Sequence, residues 1–133
     1  IPDFVEDVHI LKTLKGVGTL SAMEVLLELP DIGRFHRSDQ IAAYVGLTPA
    51  QYSSGEHIRL GRITGAGKSH LRGTLIEVAW RVIAKDTQMR QVYERIKARS
   101  GAKRAIVAVA RRLLLIIRRM LLDRRPYIMR QAA

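Results

Sequence analysis

The sequence predicts one compact all-α domain. Apolar residues recur at three- and four-residue spacing through several long stretches, which is typical of helices that bury one face. The hydrophobic share is 47%, enough for a core, and the aromatic share is only 5%, so we expect that core to be aliphatic. A length of 133 residues suits one domain and leaves little room for two.

The apolar spacing and the helix-ending residues divide the chain into six predicted helices. Pro30 breaks the second helix and Gly46 ends the third, for which Ser38 is a suitable N-cap. Pro126 stops the helical pattern of the last. The predicted helices cover residues 7–14, 19–29, 39–45, 69–85, 87–99 and 102–123.

A glycine-rich stretch separates the first three helices from the last three. Residues 46–68 contain five of the ten glycines, and we expect an irregular loop or a small β-hairpin near residues 50–67. The single domain, 1–133, then has three parts. They are a helix-hairpin-helix-like unit over 11–49, a serine-bearing loop over 50–68 and a basic helical body over 69–125.

The charge of the chain is strongly positive and unevenly distributed. The net charge is +11. Residues 1–50 hold 4 Lys and Arg against 7 Asp and Glu, a balance of −3, whereas residues 51–133 hold 19 against 5, a balance of +14. A basic surface of this size is typical of proteins that bind nucleic acid, although it can also be merely solvated. We therefore expect phosphate binding in the last two-thirds of the chain.

The composition also excludes several classes of site. The chain has no cysteine, which excludes disulfides, zinc–thiolate sites and cysteine catalysis and suits a reducing cytoplasm. We see no signal peptide, and the apolar stretch 105–122 is interrupted by four arginines, too costly for a bilayer core. The four histidines are scattered without metal-ligand spacing, and no acidic cluster suggests a two-metal site.

The turn after the first helix is a candidate phosphate contact. Leu14-Lys15-Gly16-Val17-Gly18 resembles the hairpin of a helix-hairpin-helix unit. Glycines permit a close backbone approach, and the free amides at the start of the next helix can face a phosphate. The alternative is an ordinary helical turn, which the slightly negative local charge favours.

A second candidate is the glycine-rich run at 61–69. It is similar to a nucleotide-binding P-loop, but five residues separate Gly61 from Gly67-Lys68-Ser69 where four are required, which argues against ATPase or GTPase activity. Its basic residues could still neutralise phosphates, unless the run is only a surface loop. Those residues, with their neighbours, are Arg59, Arg62, Lys68, His70 and Arg72.

The last predicted helix carries a row of arginines. Four of them recur every seven residues, about two helical turns, so we expect one ridge along one side of the helix. Almost every other residue is apolar, so this ridge should be the part of the helix that faces water. We predict contacts with nucleic-acid backbone, and the alternative is salt bridges to Glu77, Glu94 or neighbouring acids. The ridge comprises Arg104, Arg111, Arg118 and Arg125, with Arg112 and Arg119 beside it.

A serine pair in Tyr52-Ser53-Ser54-Gly55 is a weak catalytic signal by itself, since such pairs usually form turns. A nucleophilic serine needs a base, a metal or strong local cations. His57 and Arg59 lie nearby in the sequence.

Taken in order, these motifs resemble the C-terminal domain of the DEDD insertion-sequence transposases, a family that includes the Piv-type DNA invertases. The resemblance runs from about residue 11 to 127. It includes Ile41-Ala42-Ala43-Tyr44-Val45-Gly46-Leu47-Thr48-Pro49, then the serine pair and Gly61-Arg62-Ile63-Thr64. No single motif is unique to the family, but their order and spacing together are specific.

The resemblance implies more than the residues do. In this family an N-terminal RuvC-like domain supplies acidic residues that bind Mg²⁺, and the C-terminal domain supplies a serine that attacks a DNA phosphodiester. The serine before glycine matches Ser54, with Ser53 as the fallback. The acidic metal site has no counterpart in this sequence, so we expect no cofactor in this chain, with Mg²⁺ on the missing domain, and no cleavage by the chain alone.

The resemblance also implies DNA as partner, a guide RNA in some members, a homo-oligomer in the full-length enzyme, and a place in the bacterial or archaeal cytoplasm near the nucleoid. Two other functions remain open. One is a helix-hairpin-helix module that binds nucleic acid without catalysis, and the other is an oligomerisation module.

Overall fold

A computed structural model describes residues 2–29, 31–47 and 66–127, with the backbone alone for Pro2 and residues 66–69. This part of the chain consists of α-helices, one 3₁₀ turn and connecting turns, and contains no strand. The all-α prediction is thereby confirmed. The loop or hairpin expected near 50–67 lies almost wholly outside the described residues.

Six α-helices and the 3₁₀ turn follow one another in the described part of the chain. They are α1 (Pro2–Leu11), α2 (Thr19–Glu28), the 3₁₀ turn η1 (Ile32–Arg34), α3 (Ser38–Val45), α4 (Ala66–Lys85), α5 (Thr87–Ser100) and α6 (Ala102–Asp123).

The observed bounds differ from the predicted ones mainly at α1 and α4. α1 begins at Pro2, where the missing amide hydrogen costs nothing, and ends at Leu11. Beyond it the chain tightens into three-residue turns, since the Leu14 amide donates to the Leu11 carbonyl at 3.1 Å. α4 begins three residues before the predicted start. α6 spans the predicted residues.

α6 lies at the centre of the core. α4 and α5 pack against it most extensively, and α1, α3 and η1 contact it as well. The core is aliphatic, as expected, and its largest fully buried side chains come from several helices and from the residues that follow them. They include Leu11, Leu14, Ile41, Leu47, Leu71, Leu75, Leu113, Leu114 and Ile117. Each such side chain contributes about 1.5–3 kcal/mol by leaving water.

The turn between α1 and α2 packs on α4. Gly16 has φ +106°, and a Cβ there would lie 3.0 Å from the backbone nitrogen of Val82. Arg81 fastens the same turn, because its Nε donates to the Gly16 carbonyl at 3.0 Å and its Nη2 donates to Ser21 Oγ at 2.6 Å. Glycine at position 16 therefore permits close packing of the hairpin on α4.

A buried carboxylate joins the end of the chain to α5. Asp86 is 2% exposed and caps α5 by accepting a hydrogen bond from the Met89 amide at 3.1 Å. Its other oxygen accepts from the Tyr127 hydroxyl at 2.8 Å. Burial, followed by the bond to Asp86, raises the pKa of Tyr127 to about 12. The sequence analysis missed this contact, although an aspartate directly before a helix is an N-cap signal.

Candidate nucleic-acid interface

A groove of 530 Å³ lies between α5 and α6. Its apolar lining comes from both helices and from Leu47, the residue just after α3. Five arginines lie among these apolar residues. The groove is lined by Leu47, Val92, Arg95, Ile96, Arg99, Ser100, Arg104, Val107, Ala108, Arg111, Arg112 and Leu115, and we call it the arginine groove.

The arginine groove follows from how α5 and α6 are joined. Gly101 is both the residue after α5 and the residue before α6, and it adopts φ +94°, which favours glycine. This one-residue connection keeps the two helices side by side. Arg95 and Arg99 are four residues apart, and Arg104 and Arg111 are seven apart, so each pair lies along one face of its helix.

The arginine groove is cationic because its basic side chains form no ion pair within the described residues. No Asp or Glu lies among the described residues that line it, and none occurs in the sequence between Glu94 and Asp123. Of the predicted alternative, salt bridges from these arginines to Glu77, Glu94 or neighbouring acids, the described residues show one, to the neighbouring Asp123. There the ion pair made by α6 is Arg119 with Asp123, at 3.3 Å.

Arg111 is the least satisfied of the groove arginines. It is half-buried, whereas Arg95, Arg99, Arg104 and Arg112 are exposed. Its Nε is buried and has no hydrogen-bond acceptor in the described part of the protein. A buried donor without an acceptor costs about 1–3 kcal/mol, so an anion that reached Arg111 would gain from pairing with it.

The expectation that the whole ridge faces water is wrong at Arg118, which is only 8% exposed. Its Nη2 donates to the Phe35 carbonyl at 3.1 Å, just after η1. The reason is helical geometry, since a seven-residue repeat drifts about 20° around a straight helix at each step. The drift moves the row from exposed Arg104 to buried Arg118, where η1 packs on α6. Arg125, the last of the row, lies beyond the end of α6.

The other predicted contact residues do not converge on one place. Arg72 lies against Gly46, since a Cβ there would meet its Nη1 at 3.1 Å, and this places it beside the end of α3. Gly18 is exposed and open to solvent, while Gly16 packs on α4. Arg119 is exposed outside the groove. Ser53, Ser54, Arg59 and Arg62 lie outside the described residues, as does the side chain of Lys68.

Two groove residues were missed by the sequence analysis. Arg95 and Arg99 are not among the contact residues predicted from the sequence. Their four-residue spacing did place them on one face of α5. The sequence does not show that this face of α5 packs beside α6.

Within the described residues, no group of three or more histidine, aspartate or glutamate side chains is placed to hold a metal ion. The helices of the same residues include none with the length and apolar character that crossing a membrane requires.

Several curated proteins are similar to this chain. The transposase for insertion sequence element IS1111A of Coxiella burnetii is 35% identical over 126 residues, which cover 92% of this chain and 35% of that protein. The pilin gene-inverting protein of Moraxella bovis is 26% identical over 129 residues, 95% of this chain and 40% of that protein. The probable family 20 transposase of Pseudomonas aeruginosa is 38% identical over 73 residues, 55% and 22% of the respective chains.

The chain spans only part of these relatives, 35% of the IS1111A transposase and 40% of the pilin gene-inverting protein. No solved structure matches the chain. A model of the IS116/IS110/IS902 transposase family matches residues 8–94. Because this match covers more than half of the sequence, the protein belongs to the IS116/IS110/IS902 family of transposases.

Proposed function

We propose that this chain is the nucleic-acid-binding part of a DNA transposase and that the arginine groove holds the phosphate backbone. The observation that carries the proposal is the set of five arginines around one groove without an acid among the described residues that line it. Family membership supports DNA as the partner. A DNA substrate would place the protein at the bacterial or archaeal nucleoid.

The chemistry of arginine fits this role. The planar guanidinium can donate two parallel hydrogen bonds to a phosphate, and it remains charged at any physiological pH. The exposed heads of Arg104 and Arg112 offer such donors, and Arg111 adds a buried donor that lacks an acceptor in the described part of the protein. Binding at the groove would release counterions from the nucleic acid, which makes the affinity fall steeply with salt.

The catalytic part of the proposal rests on the family resemblance and on Ser54, with Ser53 as the fallback. In the proposed step, the serine oxygen bonds to phosphorus, the bond from phosphorus to one sugar oxygen breaks, and the serine proton ends on that oxygen. Arginines that hold the phosphate would lower the barrier by positioning and by charge.

The metal site of the family does not fit the described residues of this chain. Their carboxylates are dispersed, and several already have partners, such as Glu28 with His70 and Asp86 with Tyr127. We therefore propose that another domain of the full-length transposase would hold Mg²⁺. A guide RNA and a homo-oligomeric full-length enzyme belong to the same proposal.

The binding proposal is tested by measuring DNA affinity against salt. We expect the Arg104→Ala/Arg112→Ala double variant to lose affinity by about tenfold or more, since two charge-assisted contacts disappear. The slope of log affinity against log salt should become shallower by about 2. The matched control is Arg119→Ala/Arg125→Ala, which removes the same charge outside the groove. Equal losses in the two double variants would contradict the assignment to the groove.

The catalytic proposal needs the full-length transposase. Ser54→Ala should abolish strand exchange and leave DNA affinity unchanged, because the hydroxyl acts on the phosphate and contributes little to binding. Ser53→Ala is the control and should retain strand exchange. Recombination by the Ser54→Ala enzyme would show that Ser54 is not the nucleophile. Loss of activity in Ser53→Ala alone would move the role to the fallback residue.

A further inference from the structure

We infer that the arginine groove binds an unpaired nucleotide, with the phosphate at the arginines and the base on the apolar side chains between them. The inference rests on the proposed function, which places a phosphate backbone at the same arginines, and it adds a role for the apolar lining. These side chains come from α5, from α6 and from the chain just after α3. We call them the groove floor: Leu47, Val92, Ile96, Val107, Ala108 and Leu115.

The groove floor does not suit the outer surface of a DNA duplex. In a duplex the bases are paired and stacked, so the charged phosphates and the sugars form the outside of the backbone. A phosphate pressed against aliphatic side chains would lose water without gaining a hydrogen bond, which is costly. A duplex can therefore use the exposed arginines at the edge of the groove, but it gains little from the floor.

An unpaired nucleotide combines the two kinds of group that the groove accommodates. Its phosphate is an anion for the guanidinium groups, and its base is a flat ring that can pack on apolar side chains or on a guanidinium plane. The groove has room for it, since a volume of 530 Å³ lies in the range of pockets that hold small organic ligands. The five arginines, without an acid among the described lining residues, complement the charge of a nucleic-acid strand.

Arg111 supports the same ligand. It lines the groove and is half-buried, and its buried Nε has no hydrogen-bond acceptor in the described part of the protein, whereas the side chains of Arg104 and Arg112 are exposed. A phosphate held by the exposed guanidinium groups would stay at the edge of the groove. The edges of nucleobases carry carbonyl oxygens and ring nitrogens that accept hydrogen bonds. A base that enters the groove therefore brings an acceptor to Arg111.

A comparison of single-stranded and duplex DNA tests the inference. Charge alone favours the duplex, because its charge density along the axis is about twice that of one strand. We expect a thymidine oligomer to bind about tenfold more tightly than a thymidine–adenine duplex of the same length at the same salt, because only the single strand places bases on the groove floor. A uridine oligomer of that length shows whether DNA or RNA supplies the strand. Equal or tighter binding of the duplex would overturn the inference.

Two substitutions that keep the charge locate this preference in the groove. Ala108→Leu fills the groove floor, so it should lower the single-strand affinity to about that of the duplex and leave the duplex affinity within about twofold, since duplex binding depends on charge. Ala98→Leu is the matched control, because Ala98 is exposed on α5 outside the groove lining. Arg111→Lys removes the Nε donor and should weaken single-strand binding several-fold. Arg112→Lys, at an exposed position, is its control and should change neither affinity.

These measurements separate the inference from the proposed function. If Arg104→Ala/Arg112→Ala weakens the binding of both forms of DNA while Ala108→Leu and Arg111→Lys leave the preference for the single strand unchanged, the proposed function stands and the inference fails. If Arg104→Ala/Arg112→Ala changes neither affinity, the proposed function itself fails. Circular dichroism verifies that each variant keeps its helices.

Discussion

Arg118 is a cation taken into the interior of the protein with little compensation. It donates one hydrogen bond to the Phe35 carbonyl, and its Nε is buried without an acceptor in the described part of the chain. Replacing a buried ion pair by apolar residues of similar volume is often neutral or stabilising by about 1–4 kcal/mol, and we expect a similar gain from replacing Arg118 by an apolar residue. Leaving the Phe35 carbonyl unpaired costs about 1–3 kcal/mol in the other direction. The two effects nearly cancel.

We therefore expect Arg118→Met to change the free energy of unfolding by less than about 1 kcal/mol. DNA affinity should stay within about twofold of the wild type, since the buried side chain does not reach a phosphate. Denaturant unfolding and a binding titration measure the two quantities. A loss of affinity as large as that of Arg104→Ala/Arg112→Ala would show that Arg118 contributes to DNA binding.

His70 ties the start of α4 to the end of α2. Its Nδ1 pairs with the carboxylate of Glu28, and this bond, together with the charges of Glu28, Glu24 and Glu77, raises the pKa of His70 above its ordinary value of 6.5. The folded protein thus holds this proton more tightly than the unfolded chain does. The stability from the pair is fully present below about pH 6.5 and is lost as the pH rises through the pKa of folded His70.

Glu28→Gln removes the main cause of that shift. We expect the wild type to exceed this variant in Tm by more at about pH 6 than at about pH 8.5, because only protonated His70 gains from the carboxylate. Thermal unfolding of both proteins at the two pH values measures the effect. A difference in Tm that does not change with pH would mean that the pair carries no charge interaction.

At the scale of elements, two glycines of the turn between α1 and α2 allow a packing role to be distinguished from a DNA-binding role. Gly16→Ala requires a non-glycine residue at φ +106° and a Cβ 3.0 Å from the Val82 backbone. We expect a loss of about 2–4 kcal/mol, the sum of the left-handed strain and the displacement of backbone rather than a flexible side chain. Chemical denaturation of the variant measures this loss.

Gly18→Ala is the matched control. Nothing lies within 4 Å of a Cβ at this position, and the backbone is extended. We expect a loss of stability of about 1 kcal/mol or less, since alanine is a poorer N-cap than glycine, and unaltered DNA affinity. If Gly18→Ala weakened DNA binding while leaving stability intact, phosphate contact at this turn would be supported. Equal destabilisation by both variants would contradict the packing explanation of Gly16.

How far the elements could be predicted depended on local signals. α6 was predicted to its ends because Gly101 and Pro126 bracket a long apolar pattern. The predicted range of α1 lies too far along the chain for two reasons. A proline at a helix start, such as Pro2, is not visible in the apolar spacing. The turns after Leu11 keep helical apolar spacing but have three-residue hydrogen bonds in place of α-helical ones. The burial of Arg118 depends on η1 packing against α6, and a contact between such distant residues is not visible in a seven-residue repeat.

At the scale of the whole molecule, charge and apolar surface are divided between two places. The exposed apolar side chains of Leu20 and Leu27 lie on α2, which packs on α1 and α4, while the arginine groove lies between α5 and α6. The uneven charge along the sequence predicted that the second half is basic. It could not predict the groove, because the groove forms only where the helix face of Arg95 and Arg99 packs beside the helix face of Arg104 and Arg111.

The location of bound DNA is the most direct test of the assignment to the arginine groove. Methyl NMR spectra of the chain, recorded as a DNA duplex is added, report on the aliphatic side chains of each surface. We predict that the resonances of Val107, Ala108 and Leu115 shift, while those of Leu20 and Leu27, which are exposed on α2, stay in place. Shifts at Leu20 and Leu27 with an unchanged groove would contradict the account.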